Sequence, residues 1–330
     1  MNTPDVYTQL IAPSLFSGEG VTVDPSLTLV VGAPGSGRMR VAWASAATAG
    51  VTAPISAALM RAFHPDAAEL YRQFPTTVES IMRPVVEEWT SRAIGQALEE
   101  RRSLVLEADA LSPDAVEAAV VAFRSVGFTS RLIIVSARPA DALLTTTSAF
   151  LAQRRERVAA QFSSVESTRV AFSSAPELLR AVEVTSLVER VEVVAGTGAV
   201  LHAASPVEDP ASAAGLVDAF AAEASRGFSS IEGVRWLGEL RRTSEYTREA
   251  HEEAPALLDS LAELHRLALT DVLPTMPLRP ESDPAVRQRT QLEQSLSRLE
   301  RQLALQAEPP VTQQPVVVAP APSTSRGLDR

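Results

Sequence analysis

Along residues 26–202, short apolar runs that end in turn residues alternate with stretches of helical spacing. Residues 27–31 (Leu-Thr-Leu-Val-Val) stop at a glycine loop and read as a buried parallel strand. Residues 38–49 are Ala-rich and unbroken until Gly50, the composition of a helix. Residues 51–55 read as a weak second strand. Residues 77–100 place Val78, Ile81, Val85, Trp89, Ile94 and Leu98 near helical spacing, with Pro84 where it would kink or split the helix. A third strand over 103–106 precedes a helix opened by Ser112-Pro113-Asp114, a capping serine with proline at the first helical position. Residues 131–136 form a fourth strand. Helices are predicted over 140–161 and 176–188, and strands over 191–194 and 199–202 flank the turn Gly196-Thr197-Gly198. This alternation predicts an α/β fold, a mostly parallel sheet flanked by helices.

The pattern changes after Ala203. Residues 207–271 read as helical, with Phe228, Ile231, Val234 and Leu237 on one face, and a second helix carries Leu257, Leu258, Leu261, Leu264 and Leu267. Pro274, Pro277 and Pro280 interrupt the chain. Leu292, Leu296, Leu299 and Leu303 then fall at a/d spacing, which fits a helix packed on its own protein or a helix-mediated oligomer. From Glu308 the chain is Pro-, Val- and Ser-rich without periodicity, so no regular structure is expected there. The predicted division is 1–205 as an α/β domain, 206–307 as a helical region and 308–330 as a tail.

Composition narrows the function classes. Hydrophobic residues make up 45% and charged residues 21%, enough to bury a sizeable core. A net charge of −10 argues against a general nucleic-acid or anionic-membrane binder. There is no cysteine, which excludes disulfides and thiol chemistry. No secretory signal or membrane span is visible at the N-terminus or elsewhere, so a cytoplasmic protein is expected. All 30 basic residues are arginine, so no lysine elsewhere can replace one missing from a site. His64, His202, His251 and His265 lack metal-ligand spacing, and Trp43 and Trp89 read as core.

The candidate chemistry lies in Gly32-Ala33-Pro34-Gly35-Ser36-Gly37-Arg38-Met39, between the first strand and the first helix. A GxxxxGK[ST] loop wraps phosphates with the backbone N–H groups its glycines allow. Its lysine bridges the β and γ oxygens, and its Ser/Thr holds magnesium. Here Gly32, Gly35, Ser36 and Gly37 keep the loop, but Arg38 and Met39 fill the two chemical positions. The planar guanidinium is not equivalent to an ammonium, and a thioether is a poor magnesium ligand.

Further along the chain come Arg61-Ala62-Phe63-His64-Pro65 with Glu69-Leu70-Tyr71, and a strand closing on Glu107. With the proline-containing loop, these features resemble the zeta-toxin family in order and spacing over residues 10–202. That family contains P-loop kinases that phosphorylate UDP-N-acetylglucosamine. The resemblance implies a P-loop kinase-like sheet, with Arg61, His64 and Glu107 at the sugar site. It also implies Arg38, Arg154, Arg155 or Arg157, and then Arg169 on the ATP phosphates. His64 reads first as a hydrogen-bonded helix-end histidine beside Pro65, and the later arginines read equally as surface charges. The family's catalytic aspartate falls on Ala58, and its Gly-Thr after the glutamate is Ala108-Asp109 here.

Loss of a general base costs roughly 10²–10⁴-fold, and one lost transition-state contact costs ~3–4 kcal/mol. With Arg38, Met39 and Ala58 altered together, the sequence points to a pseudokinase acting as a binding or structural module. ATP and magnesium binding would be weakened, and the partner would be a protein, antitoxin-like or an assembly partner. Two alternatives stay open. One is a divergent kinase using Arg38 on the phosphates and Glu107 or Asp109 as base. The other is a helical interaction protein on an inherited scaffold.

Overall fold

The computed structural model describes residues 5–17, 24–276 and 281–307. A π-helical turn, Tyr7–Ile11, runs into α1 (Ala12–Leu15) and buries Tyr7, Ile11 and Leu15. The α/β part then runs β1 (Ser26–Gly32), α2 (Arg38–Thr48), β2 (Ile55–Ser56), α3 (Ala57–Ala62), α4 (Ala67–Gln73) and α5 (Val78–Glu99). It continues through β3 (Leu104–Ala108), α6 (Pro113–Arg124), β4 (Thr129–Ser136), α7 (Pro139–Glu156), α8 (Val165–Thr185), β5 (Arg190–Ala195) and β6 (Val200–Ala204). Among the described residues α9 (Leu216–Ala224), α10 (Ser230–Glu249), α11 (Pro255–Leu267) and α12 (Asp283–Ala307) follow, with short 3-10 and π turns between them.

The strands order β2-β3-β1-β4-β5-β6, all parallel except the β5–β6 hairpin. Side chains alternate across the sheet, as extended backbone requires. Leu27, Leu29 and Val31 of β1, with Leu132 and Ile134 of β4, enter a large core shared with α5, α6, α8 and α9. Val30, Ile133 and Val135 face the other way, onto Val41, Ala42 and Ala46 of α2. Leu216 and Phe220 of α9 belong to the large core, and the Phe220 carbonyl accepts from Ser136 Oγ at 2.8 Å. The first helix of the 206–307 region therefore packs on the sheet itself.

α10 and α11 pack on α7, bringing Trp236, Leu240, Leu261 and Leu264 into one cluster with Leu143 and Leu144, and α12 packs on α11 and adds Leu292. Trp236 Nε1 donates to the Ala140 carbonyl at 3.3 Å, and buried Arg138 lies 3.8 Å from the Phe228 ring centre. Arg138 also pairs with Asp141 at 2.7 Å and Glu232 at 3.1 Å, so one guanidinium joins the start of α7 to the start of α10. Leu292 and Leu299 pack within the chain.

The structure departs from the sequence expectations in several places. The second strand is two residues long, Ile55–Ser56, because only those residues find β3. α5 continues through Pro84. α8 begins at Val165, well before Pro176, because Ser164 caps it by accepting from Ser167 N at 3.1 Å. On α10 the buried face is Gly233, Trp236, Leu240, Thr243 and Thr247, whereas Ile231 and Val234 are exposed. Trp89 is core, but Trp43 is 46% exposed on α2. The expected irregular tail, 308–330, lies outside the described residues.

A buried charge sits on β5 of the sheet. Glu192 on β5 accepts from Arg131 Nη2 at 2.7 Å and Arg190 Nε at 2.6 Å. Burial pushes its carboxyl up, but these two hydrogen bonds outweigh burial and hold it below its ordinary value. A depressed folded-state pKa contributes stability above the ordinary carboxylate range, and that stability is lost as pH falls through the folded value. Glu192→Gln is expected to cost about 1–2 kcal/mol at pH 7, less than a fully buried pair because both arginines reach solvent. Denaturant unfolding at several pH values should show that cost vanishing on acidification.

Candidate functional site

The site lies outside the carboxyl ends of β1 and β3, beside the point where the order turns from β1 to β4 on its other side. Open parallel sheets present such a crevice there. Register builds it: Val31 aligns with Ala108 across β1–β3, and Ser56 aligns with Glu107 across β2–β3. Gly32 to Gly37 then turn the chain into the N-terminus of α2, with Gly37 as the left-handed cap at φ 92°. The loop is held from two sides. A Cβ at Gly35 would stand 2.1 Å from the Ala142 carbonyl of α7, and one at Gly37 would stand 2.4 Å from the Gly196 carbonyl. Ser36 is buried, and its Oγ has no hydrogen-bond partner.

Arg38 is the first residue of α2, and its side chain folds back over the loop. Nη1 donates to the Gly32 carbonyl at 2.8 Å, Nε pairs with Glu107, and Nη2 pairs with Asp109. Each guanidinium nitrogen is thus engaged, and the side chain is only 17% exposed. Glu107 is buried, whereas the Asp109 side chain is 49% exposed at the rim.

A second arginine extends this ionic network. Arg61 on α3 pairs with Glu79 on α5 at 2.9 Å and donates from Nε to Tyr71 Oη at 3.2 Å. Burial pushes the Glu79 carboxyl up. Arg61 pulls against that rise, Asp109 adds to it, and Arg38 and Arg83 oppose it. Those influences place Glu79 in the same electrostatic neighbourhood as the Arg38 cluster. Ala58 lies one turn before Arg61 on α3, just after Ser56, whose Oγ caps that helix by accepting from Leu59 N at 3.1 Å. A side chain at position 58 would therefore sit at the cleft, and alanine brings no polar atom to it.

The remaining predicted residues lie elsewhere or are otherwise engaged. His64 Nδ1 accepts from Asp66 N at 3.1 Å, and its ring lies 6.2 Å from that of Trp89. Arg154 bonds Glu252 at 3.0 and 3.1 Å. Arg155 is exposed in the last turn of α7, about 20 Å along the helix from the Ala142 carbonyl that abuts the loop. Arg157 ends that helix at φ 58°. Arg169 is exposed and pairs with Glu166 one turn away at 2.5 Å. The loop, Arg38, Glu107 and Asp109 are thus brought together, with Arg61 reaching the same cleft, while the later arginines pair locally or stand apart. Sequence reasoning missed Glu79. Its only signal is an acidic residue in the first turn of a helix, and its place opposite Arg61 comes from α3–α5 packing.

Magnesium, which the resemblance implies, does not fit this donor set. The residue after Arg38 is Met39, 37% exposed, with a soft thioether in place of a hydroxyl. Glu107 and Asp109, the carboxylates beside the loop, are both already paired with Arg38. Among the described residues no group of three or more His, Asp or Glu side chains could hold a metal ion. No helix there is long and apolar enough to cross a membrane.

Comparison with known proteins agrees with this architecture. No curated protein matches the chain significantly. A solved structure from work on the PezAT chromosomal toxin–antitoxin system of Streptococcus pneumoniae is similar at 14% identity and a TM-score of 0.58. The match covers 76% of this chain and 98% of that one. A structure of the AvrRxo1-ORF1:AvrRxo1-ORF2 complex aligns at 11% identity and a TM-score of 0.44, covering 85% and 80% of the two chains. The family model described as zeta toxin matches residues 21–206, more than half of the sequence. With its P-loop-like turn at the end of β1 in a mostly parallel, helix-flanked sheet, this chain belongs to the zeta toxin family.

Proposed function

We propose that this chain is a zeta-toxin-family pseudokinase, a binding or structural module whose phosphate seat is closed by its own side chains. The observation that carries this reading is the capture of Arg38 by Glu107, Asp109 and the Gly32 carbonyl. Arg38 carries one charge against the two carboxylates that hold it, Glu107 and Asp109, so this cluster has a formal charge of −1. A nucleoside triphosphate would enter against that charge. It would also have to break two charge-assisted hydrogen bonds to recruit Arg38, each worth more than a neutral bond. The same bonds occupy Glu107 and Asp109, the two groups a divergent kinase could use as base. At most residual binding of ATP or a nucleotide sugar follows, and the corresponding role is recognition of a protein partner. The solved neighbour comes from a toxin–antitoxin system, which makes an antitoxin-like partner the first candidate.

Thermal unfolding with millimolar ATP, with and without magnesium, tests the closed seat. A ligand at 100 times its Kd adds about 2.7 kcal/mol. The expected result is no magnesium-dependent rise in Tm, and a rise of several degrees that requires magnesium would oppose the reading.

A further inference from the structure

α10, α11 and α12 enclose a second concavity, remote in the chain from the glycine loop. It is a groove of about 580 Å³, within the range of specific binding pockets. Leu237, Leu261, Leu292 and Leu299 form its apolar wall. Three arginines and three glutamates also line it, so their formal charges cancel. That balance gives no preference for an anionic ligand and suits an uncharged one.

His265 gives the groove a polar point. It is 3% exposed, and its Nδ1 must donate to the Leu261 carbonyl at 2.7 Å, because a carbonyl only accepts. Burial lowers the imidazole pKa, which favours the neutral ring. Nε2 is then a lone-pair acceptor on a residue that lines the groove. It would take an N–H.

The chain carries a segment of matching chemistry. From Pro309 to Ser325 there is no charged residue, and Val316, Val317 and Val318 form an apolar run among prolines. α12 ends at Ala307, and Gln306 Nε2 donates to the Glu253 carbonyl at 3.0 Å. Glu253 itself lines the groove, so α12 ends beside it. Gln288 to Gln302 of α12 flank the groove over about 21 Å. Extended polyproline chain advances about 3.1 Å per residue, so roughly seven residues span that length. Such a chain makes no internal hydrogen bonds, which leaves valine N–H groups free for His265 Nε2.

We propose that the segment around Val316–Val318 folds back and docks, in extended form, in the groove between α10 and α12 of its own chain. The absence of cysteine makes this directly testable by pairing cysteines in the full-length protein. Val234→Cys, at the groove, is combined in turn with Val316→Cys, Val317→Cys and Val318→Cys. The control combines each with Val184→Cys, which is 83% exposed on α8. Gly238 supplies a block, since it lines the groove and a Cβ there meets nothing within 4 Å. Gly238→Trp fills the space, and Gly238→Leu serves if the larger variant does not fold.

The expected result is an intramolecular disulfide with Val234→Cys, formed at least tenfold faster than with Val184→Cys and slowed to the control rate by the block. Amides of residues 316–318 in the unaltered chain should exchange at least tenfold more slowly than in the blocked variant. Equal rates at both positions, a disulfide-linked dimer as the main product, or exchange unchanged by the block would each overturn the proposal.

Discussion

The combined substitution Arg38→Lys, Met39→Thr and Ala58→Asp is expected to raise phosphate transfer to UDP-N-acetylglucosamine by at least about 10³-fold, while each single change does little. Each position supplies a different part: phosphate clamp, metal ligand and proton acceptor. A base alone is worth roughly 10²–10⁴-fold, and groups that act as a unit return little until all are present. The structure adds a fourth position to this account. Asp109 pairs with Arg38, and a lysine placed at 38 would meet the same carboxylate. Adding Asp109→Thr should therefore raise turnover beyond the triple variant by freeing the new ammonium for phosphate. Single-turnover assays on the singles, the triple and the quadruple variant check the order. A triple variant that exceeds the quadruple would show that Asp109 does not compete for the clamp.

Gly35→Ala should be the most destabilising small substitution in the loop, by about 2–5 kcal/mol. Gly35 has φ 79°, and left-handed backbone costs a non-glycine residue roughly 1–2 kcal/mol. Its Cβ would also stand 2.1 Å from the Ala142 carbonyl, so α7 or the loop must shift, and overpacking typically adds about 1–3 kcal/mol. Gly50 separates the two contributions. It has φ 66°, but a Cβ there meets nothing within 4 Å. Gly50→Ala should cost about 1–2 kcal/mol, the conformational part alone. Urea midpoints for the two variants check the difference, and equal midpoints would mean that α7 does not brace the loop.

Most of the sheet was legible because its strands are apolar runs closed by turn residues. β1 and β4 bury nearly every position, and the Gly196-Thr197-Gly198 turn marks the antiparallel β5–β6 hairpin. Elements carried by partners rather than pattern were harder to read. α8 takes its start from a Ser164 cap, so the conspicuous Pro176 misled. The buried face of α10 is set by Trp236 reaching the Ala140 carbonyl, and its glycine and threonines do not register as an apolar stripe. At the site, the loop and Glu107 could be read from motif and strand order. The Arg38–Asp109 pair and Glu79 could not, because they depend on side-chain direction and on helix packing between distant segments.

The central claim is that Arg38 closes the phosphate seat and leaves the chain without kinase chemistry. Its most direct test is phosphate transfer by the unaltered full-length chain, with ATP, magnesium and UDP-N-acetylglucosamine at millimolar concentration. The account predicts no product above the protein-free background. Saturable, magnesium-dependent turnover that Glu107→Gln or Asp109→Asn abolishes would contradict it, and would make those carboxylates working bases beside an arginine that serves the phosphates.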